Sequence, residues 1–188
     1  MEFRRNKVLR SIAGILGILA VLFAARVWYL EEQGNFHPIT VNEAYRSAQL
    51  DRDELVHYVH KYHIRSIINL RGHRPSEAWY QEETETAREL GIPHFDFDGI
   101  GATRAPSPRQ VQRLLKLFAT SPRPVLLHCR AGADRSGLAA ALWKTIIDGA
   151  PASEARRQLS WCYGHVPVGP TTVLDSFFDN WPTAQKEG

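Results

Sequence analysis

Residues 128–137 read HCRAGADRSG, and their order suits nucleophilic chemistry on an anion. Cys129 is followed by five residues and then by Arg135. The short apolar run Val125–His128 reads as a strand, and residues 135–148 read as a helix stopped by Gly149 and Pro151. A loop from a strand end into a helix N-terminus turns several backbone N–H groups inward and makes a cradle for an anion. Here that loop is Arg130, Ala131, Gly132, Ala133 and Asp134, and Gly132 permits the tight backbone path. The same amides and the helix dipole favour the thiolate of Cys129 as a nucleophile. The planar fork of Arg135 can hold two phosphate oxygens at once, which a lysine cannot do. Ser136 can donate to the cysteine sulfur and help it leave a thiophosphate intermediate.

Such a loop must be carried by a scaffold, and the chain supplies one. Strand patterns occur at 36–41, 44–48, 64–70 and 93–98, in addition to 125–128. Asp51 is placed to cap a helix through Tyr62, Ser76 opens one to Leu90 ended by Gly91, and Ser107 with Pro108 starts one through Ala119. Two more helical patterns cover 153–163 and 171–181. Strands alternating with helices predict an α/β layer fold with a mostly parallel central sheet flanked by helices. In 93–98 the alternation puts His94, Asp96 and Asp98 on one face and Phe95 and Phe97 on the other.

The loop resembles the signature of the cysteine-dependent protein tyrosine phosphatase superfamily, and is most similar to bacterial members of its dual-specificity branch with a Gly-x-Asp-Arg loop. Weaker resemblance runs over roughly 45–181 through Tyr45-Arg46-Ser47, the strand end Asn69-Leu70-Arg71-Gly72, and Tyr163-Gly164-His165. The resemblance implies hydrolysis of a phosphomonoester through a cysteinyl-phosphate, with no metal or organic cofactor. It implies an aspartic acid about thirty residues before the cysteine as the proton donor. Asp98 precedes Cys129 by 31 positions and Asp96 by 33, and both stay open, with Asp98 beside a glycine-containing stretch. Relatives with this Asp-Arg ending often carry lysine where this chain has Ala133, which weakens the case for a multiply phosphorylated inositol head group. Asp134 reads either as a structural partner of loop amides or a nearby arginine, or as a contact for a substrate hydroxyl.

Other residues are weaker candidates. Arg71, His73 and Arg74 follow a strand end and could meet a second acidic part of a substrate. Arg104 has the same standing, and His165 could approach the site from the C-terminal region. His57, His60 and His63 are spaced by three without a supporting carboxylate pattern, so no metal set is expected there. Cys162 is the only other cysteine, which leaves a Cys129–Cys162 disulfide open in an oxidising compartment.

The chain of 188 residues is 44% hydrophobic and 23% charged, which excludes a disordered or fibrous chain, and two cysteines exclude a disulfide-dense scaffold. The net charge of +3 divides unevenly. Residues 1–30 hold five basic groups and one acid, whereas the rest hold 18 basic and 19 acidic. The body thus lacks the basic excess of a nucleic-acid binder. Residues 11–30 have Arg26 as their only charge and follow Arg4, Arg5, Lys7 and Arg10. As a helix they span about 30 Å, the thickness of a bilayer core, with Arg26, Trp28 and Tyr29 at the interface. The expected organisation is a basic cytoplasmic arm at 1–10, a transmembrane anchor at 11–30, a linker at 31–35, a phosphatase domain at 36–182 and a tail at 183–188. A cleaved signal peptide is the alternative to the anchor. Either places the domain outside the cytoplasm, and the anchor makes it a single-pass inner-membrane protein. The expected substrate is a phosphorylated protein, with phospholipid or envelope glycan as the alternative. A catalytically weak phosphate-binding module and a rhodanese-like sulfur transferase are the readings from other classes.

Overall fold

The structure, a computed structural model, describes residues 2–184. Of the tail expected at 183–188, residues 185–188 lie outside the described part. Five strands form one mixed sheet in the order β1-β2-β5-β3-β4. They are β1 (His37–Thr40), β2 (Ala44–Ser47), β3 (Ser66–Asn69), β4 (His94–Asp96) and β5 (Val125–His128). The β1–β2 hairpin is antiparallel, and the three other pairings are parallel. The expected α/β architecture with a mostly parallel sheet is therefore present, with an antiparallel edge.

The side-chain alternation of the strands divides the core in two. Tyr45, Ile67 and Leu126 face one side, where Leu55, Val59 and Ala87 from α2 (Arg52–Tyr62) and α3 (Ala78–Glu89) cover them. Ala44, Ile68 and Leu127 face the other, against α4 (Pro108–Thr120), α5 (Asp134–Ile146) and α7 (Thr172–Ala184). Asp51 and Glu54 form a capping box on α2, and Ser107 and Gln110 form one on α4, as the sequence pattern predicts for Asp51 and Ser107.

Three expected elements differ. Strand β4 stops at Asp96, because its partner β3 ends at Asn69 and the chain then turns through Gly72 at φ +76°. Helix α3 starts at Ala78, two residues later than the sequence reading, with no side-chain cap. The helix expected over 153–163 is instead a single turn, α6 (Ala152–Ala155), followed by two 3₁₀ turns. The carbonyl of Gln158 accepts from Arg46 rather than from a later helical amide, so the helical ladder does not continue.

One helix, α1 (Glu2–Glu32), takes in the expected basic arm and anchor segment. Ile15, Leu16 and Leu22 are exposed on it. Among the described residues no helix is long and apolar enough to cross a membrane. Arg26, read from sequence as an interfacial residue, donates to the main-chain carbonyl of Cys162. The Tyr58 hydroxyl donates to Gln33 O at 3.1 Å, which ties the end of this helix to α2.

Candidate active site

The parallel strands end level with one another. Ser47 of β2 is in register with His128 of β5, His128 with Asn69 of β3, and Asn69 with Asp96 of β4. Loops leaving these carboxyl ends meet in one place, where ligands of open α/β sheets bind. The loop from Cys129 to Ala133 leaves there and runs into α5.

Cys129 is buried, and its Sγ lies 3.4 Å from Ser136 Oγ in the first turn of α5. Helices α2 and α4 have side-chain caps, whereas no side chain caps α5 at Ala133. Its first N–H groups keep their capacity for an anion. Gly132 sits at φ +70°, and a Cβ on it would fall 2.7 Å from the Ala48 amide nitrogen and 2.8 Å from Asn35 Nδ2. Only glycine fits this turn of the loop.

Arg135 donates Nη1 to Leu70 O at 3.3 Å. Two residues beyond Leu70, Gly72 packs against Asp98: a Cβ on Gly72 would lie 2.8 Å from Asp98 Cβ. The turn after β3 thus touches Arg135 at one point and Asp98 at another. Asp98 stands on an exposed loop, its side chain 72% accessible, with Arg113 Nη1 at 3.7 Å. Asp96 is differently placed. Its Oδ1 accepts from Asn69 Nδ2 at 2.9 Å, and its Oδ2 accepts from the Tyr80 hydroxyl at 2.5 Å and lies 3.0 Å from His73 Nδ1. This carboxylate is committed to a network behind the rim. Burial and the bond to Asp96 push the Tyr80 hydroxyl up to about 12.

Arg71 packs its guanidinium 3.4 Å from the centre of the Trp79 ring and donates to Gln49 Oε1 at 2.9 Å. Desolvation first, then repulsion from Arg135 and Arg130, lowers its pKa, with Glu83 opposing. Arg71, Arg130 and Arg135 therefore share one positive field, suited to an anionic ligand. Arg130 and Ala131 are exposed on the loop, and Arg104 is exposed nearby in sequence to Gly101.

The loop is held from behind by residues that sequence reading missed. Arg46, in β2 and fully buried, donates Nη1 to Gln158 O at 2.7 Å and to Gln158 Oε1 at 2.9 Å. Its Nη2 donates to Gly132 O at 2.8 Å and Ala133 O at 3.0 Å, and the guanidinium lies over the Tyr163 ring at 4.2 Å. Burial lowers its pKa to about 10, which leaves it charged at neutral pH. Asn35, at φ +45°, donates Nδ2 to Ala131 O and to Tyr163 O, each at 2.9 Å. His37 is held near pKa 4 by burial and by Arg46 and Arg26, so it is neutral, with Nε2 3.1 Å from Asn35 Oδ1. The only sequence signal for Arg46 is its place in the Tyr-Arg-Ser segment; a charged residue inside a strand is a poor cue without the partners opposite it.

Asp134 meets a partner other than the loop amides or arginine that the sequence offered. His165, completely buried, places Nδ1 2.7 Å from Asp134 Oδ1 and Nε2 3.0 Å from Asp175 Oδ2. Arg156 in turn donates to Asp175 at 2.5 Å. Among the described residues, the His165 side chain therefore meets the loop through its bond to Asp134. Burial disfavours its charge, but the bonds to Asp134 and Asp175 outweigh burial and raise its pKa above 6.5. A raised folded-state pKa contributes stability that is fully present below the unfolded value and lost as pH rises through the folded one. The melting temperature should thus fall as pH is raised above 6.5, and His165→Gln should flatten that fall; parallel profiles for parent and variant would dismiss the link.

Cys129 and Cys162 are both free thiols, one buried and one exposed, so the disulfide left open by the sequence is not formed. His57, His60 and His63 form no cluster able to share an ion among the described residues.

Comparison with known proteins gives a family and a fold. The family model described as "DSP-PTPase phosphatase fused to NAD+ Kinase" matches residues 32–166. No curated protein matches the chain. Among solved structures, TpbA of P. aeruginosa is similar at 17% identity and a TM-score of 0.59, over 78% of this chain and 84% of that one. The core catalytic domain of the PP-IP phosphatase SIW14 of S. cerevisiae is similar at 19% identity and a TM-score of 0.61, over 81% and 92%. A putative phosphatase of Shewanella putrefaciens is similar at 13% identity and 0.60, over 80% and 89%. At these identities the likeness is one of fold.

Proposed function

The chain belongs to the family whose model is described as "DSP-PTPase phosphatase fused to NAD+ Kinase", and from that premise we propose that it hydrolyses phosphomonoesters through a cysteinyl-phosphate, as a tyrosine or dual-specificity protein phosphatase. The observation that carries the reading is Cys129 Sγ set 3.4 Å from Ser136 Oγ at the uncapped start of α5, with Arg135 in the same turn. Cys129 attacks phosphorus, forming the S–P bond as the ester P–O bond breaks. Loop amides and Arg135 hold the equatorial oxygens, where charge is stabilised best by donors fixed in advance. Asp98 gives its proton to the leaving oxygen. Water then attacks the cysteinyl-phosphate, Asp98 takes the water's proton, and Ser136 donates to the departing sulfur. Asp98 is the better acid because it is exposed on the rim, whereas three groups already engage Asp96.

Asp98→Asn should lower turnover by about 10²–10⁴-fold, most on esters with poor leaving groups, because general acid catalysis is worth about that much. A loss below tenfold on an alkyl phosphate, with Asp96→Asn folded and far slower, would move the role to Asp96.

A phosphotyrosine protein is the first substrate to test. A cysteine-to-serine variant of TpbA is known in complex with pTyr. Ala133 leaves the loop one positive charge short of relatives with lysine there, which argues against a heavily phosphorylated ligand. Phosphate release from a phosphotyrosine peptide, a phosphoserine peptide, a short-chain phosphorylated lipid and phosphoinositides decides the class. Release from the tyrosine peptide alone supports the reading, and preference for a lipid replaces it. Vanadate binding with no release from any member would favour the weak binding module.

The anchor belongs to the same proposal and rests on the sequence: four basic residues ahead of a 20-residue stretch with one charge. On this reading residues 11–30 hold the chain in the inner membrane, with the N-terminus cytoplasmic and the phosphatase domain outside. Membranes washed at high pH should retain the chain at full length. Full-length chain in the wash would remove the anchor, and a shortened chain would replace it with a cleaved signal.

A further inference from the structure

Three side chains without a part in the phosphatase cycle meet beneath the end of β5. Glu83 comes from α3, His94 from β4 and His128 from β5. Each offers one ligand atom, and the three atoms lie within 4.8 Å of one another. Glu83 Oε1 is 2.7 Å from His94 Nε2 and 3.1 Å from His128 Nε2. His128 Nε2 is held by this carboxylate contact alone, and among the described residues its Nδ1 has no hydrogen-bonding partner, though only 2% of the side chain is exposed. A buried polar group left in this way costs about 1–3 kcal/mol, so its persistence calls for an explanation.

The surroundings point to a cation. A ligating carboxylate is normally fixed by a second hydrogen bond, and a ligating imidazole normally turns its other nitrogen to an acceptor. Glu83 Oε2 accepts from Gln49 Nε2 at 2.5 Å, and His94 Nδ1 faces Asp96 Oδ1 at 3.8 Å. Two imidazoles and one carboxylate are the three-ligand set that zinc takes with a water in fourth place. Calcium and magnesium prefer oxygen ligands, so the two imidazoles select against them.

We propose that Glu83 Oε1, His94 Nε2 and His128 Nε2 form a binding site for one divalent cation of the zinc class. Binding replaces the proton between His94 and Glu83, which leaves to solvent. The ion ties α3, β4 and β5 together one residue before Cys129, so it stabilises the platform from which the loop departs. The proposal stands apart from the phosphatase reading, because none of the three residues is assigned to phosphate.

The test uses the full chain carrying Cys129→Ser and Cys162→Ser, which removes both thiols as rival ligands. Cobalt(II) titration should saturate at one ion per chain with visible d–d absorption, and zinc should displace it. Zinc should also raise the melting temperature, since an ion that binds only the folded chain stabilises it by mass action. Glu83→Gln and His94→Gln should each weaken binding at least about tenfold, the lower end of what even an outer partner is worth. Lack of a bound ion in the thiol-free chain overturns the site, as does an affinity in both ligand variants equal to that of the thiol-free chain without them. Should those variants fail to fold, the parent chain decides. Bound cobalt with no thiolate charge-transfer band and a raised melting temperature support the site, and a thiolate band as the sole signal overturns it.

Discussion

Cys129→Ser is expected to abolish phosphate release while leaving the fold and the phosphate cradle in place. The substitution exchanges one atom on a buried side chain whose described polar neighbour is Ser136 Oγ at 3.4 Å, so packing changes little. The chemistry changes greatly. A serine hydroxyl is a far weaker nucleophile than a cysteine sulfur, and the one carboxylate of the loop, Asp134, is already engaged by His165. Removal of a nucleophile that works as part of a unit costs on the order of 10⁶ in turnover in well-studied hydrolases, so a fall of at least about 10⁴ is expected here. Phosphate release from an aryl phosphate measures the loss, and vanadate or phosphate affinity, within about threefold of the parent, shows that the cradle survives. Turnover within about a hundredfold of the parent would end the covalent mechanism, whatever the substrate.

Much of the site was legible in the sequence because it is local. Cys129, Gly132, Arg135 and Ser136 lie within eight consecutive positions, between a short apolar run that forms a fully buried strand and a helix buried from Ser136 to Trp143. Short spacing fixes geometry: once strand, loop and helix are recognised, the cradle follows from backbone alone. The caps at Asp51 and Ser107 were readable for the same reason, since each capping box closes over three residues.

What was not legible depends on distance along the chain. Gln158 and Asn35 touch the guanidinium or the loop from 112 and 96 positions away from Arg46 and Ala131 respectively. Glu83, His94 and His128 have no spacing that a ligand pattern would catch, because three separate elements bring them together. The helix expected over 153–163 failed on the same account: its propensity is helical, but a tertiary bond to Gln158 O breaks the ladder. The general acid lies between these cases. Asp96 and Asp98 alternate correctly for one face of a strand, yet β4 ends between them because β3 offers no further partner. The end of pairing separates a committed carboxylate from an exposed one, and a strand pattern alone does not show where pairing ends.

Arg46→Met is expected to be the most damaging substitution outside the loop itself. To point its N–H groups toward a phosphate, the loop must turn its carbonyls the other way, into the protein. Those carbonyls need buried donors. Arg46 provides them: Nη2 serves Gly132 O and Ala133 O, and Nη1 serves both oxygens of Gln158. Methionine keeps most of the bulk and removes every donor; Ala133 O keeps the Gly137 amide at 3.0 Å, and the other three acceptors are stranded. At about 1–3 kcal/mol for each stranded buried acceptor, a loss on the order of 4 kcal/mol is expected even if some find water. That is a large part of the 5–15 kcal/mol that holds an ordinary domain together. Lysine restores the charge but not the fork, since one ammonium cannot reach the acceptors at both ends of the guanidinium. Arg46→Lys should therefore recover less than half of the loss. Urea unfolding gives the stability of each variant, and vanadate affinity reads the loop in whatever fraction stays folded. A loss below about 1 kcal/mol with unchanged vanadate affinity would mean that the loop holds its carbonyls inward unaided, and that the bracing role given to Arg46 is wrong.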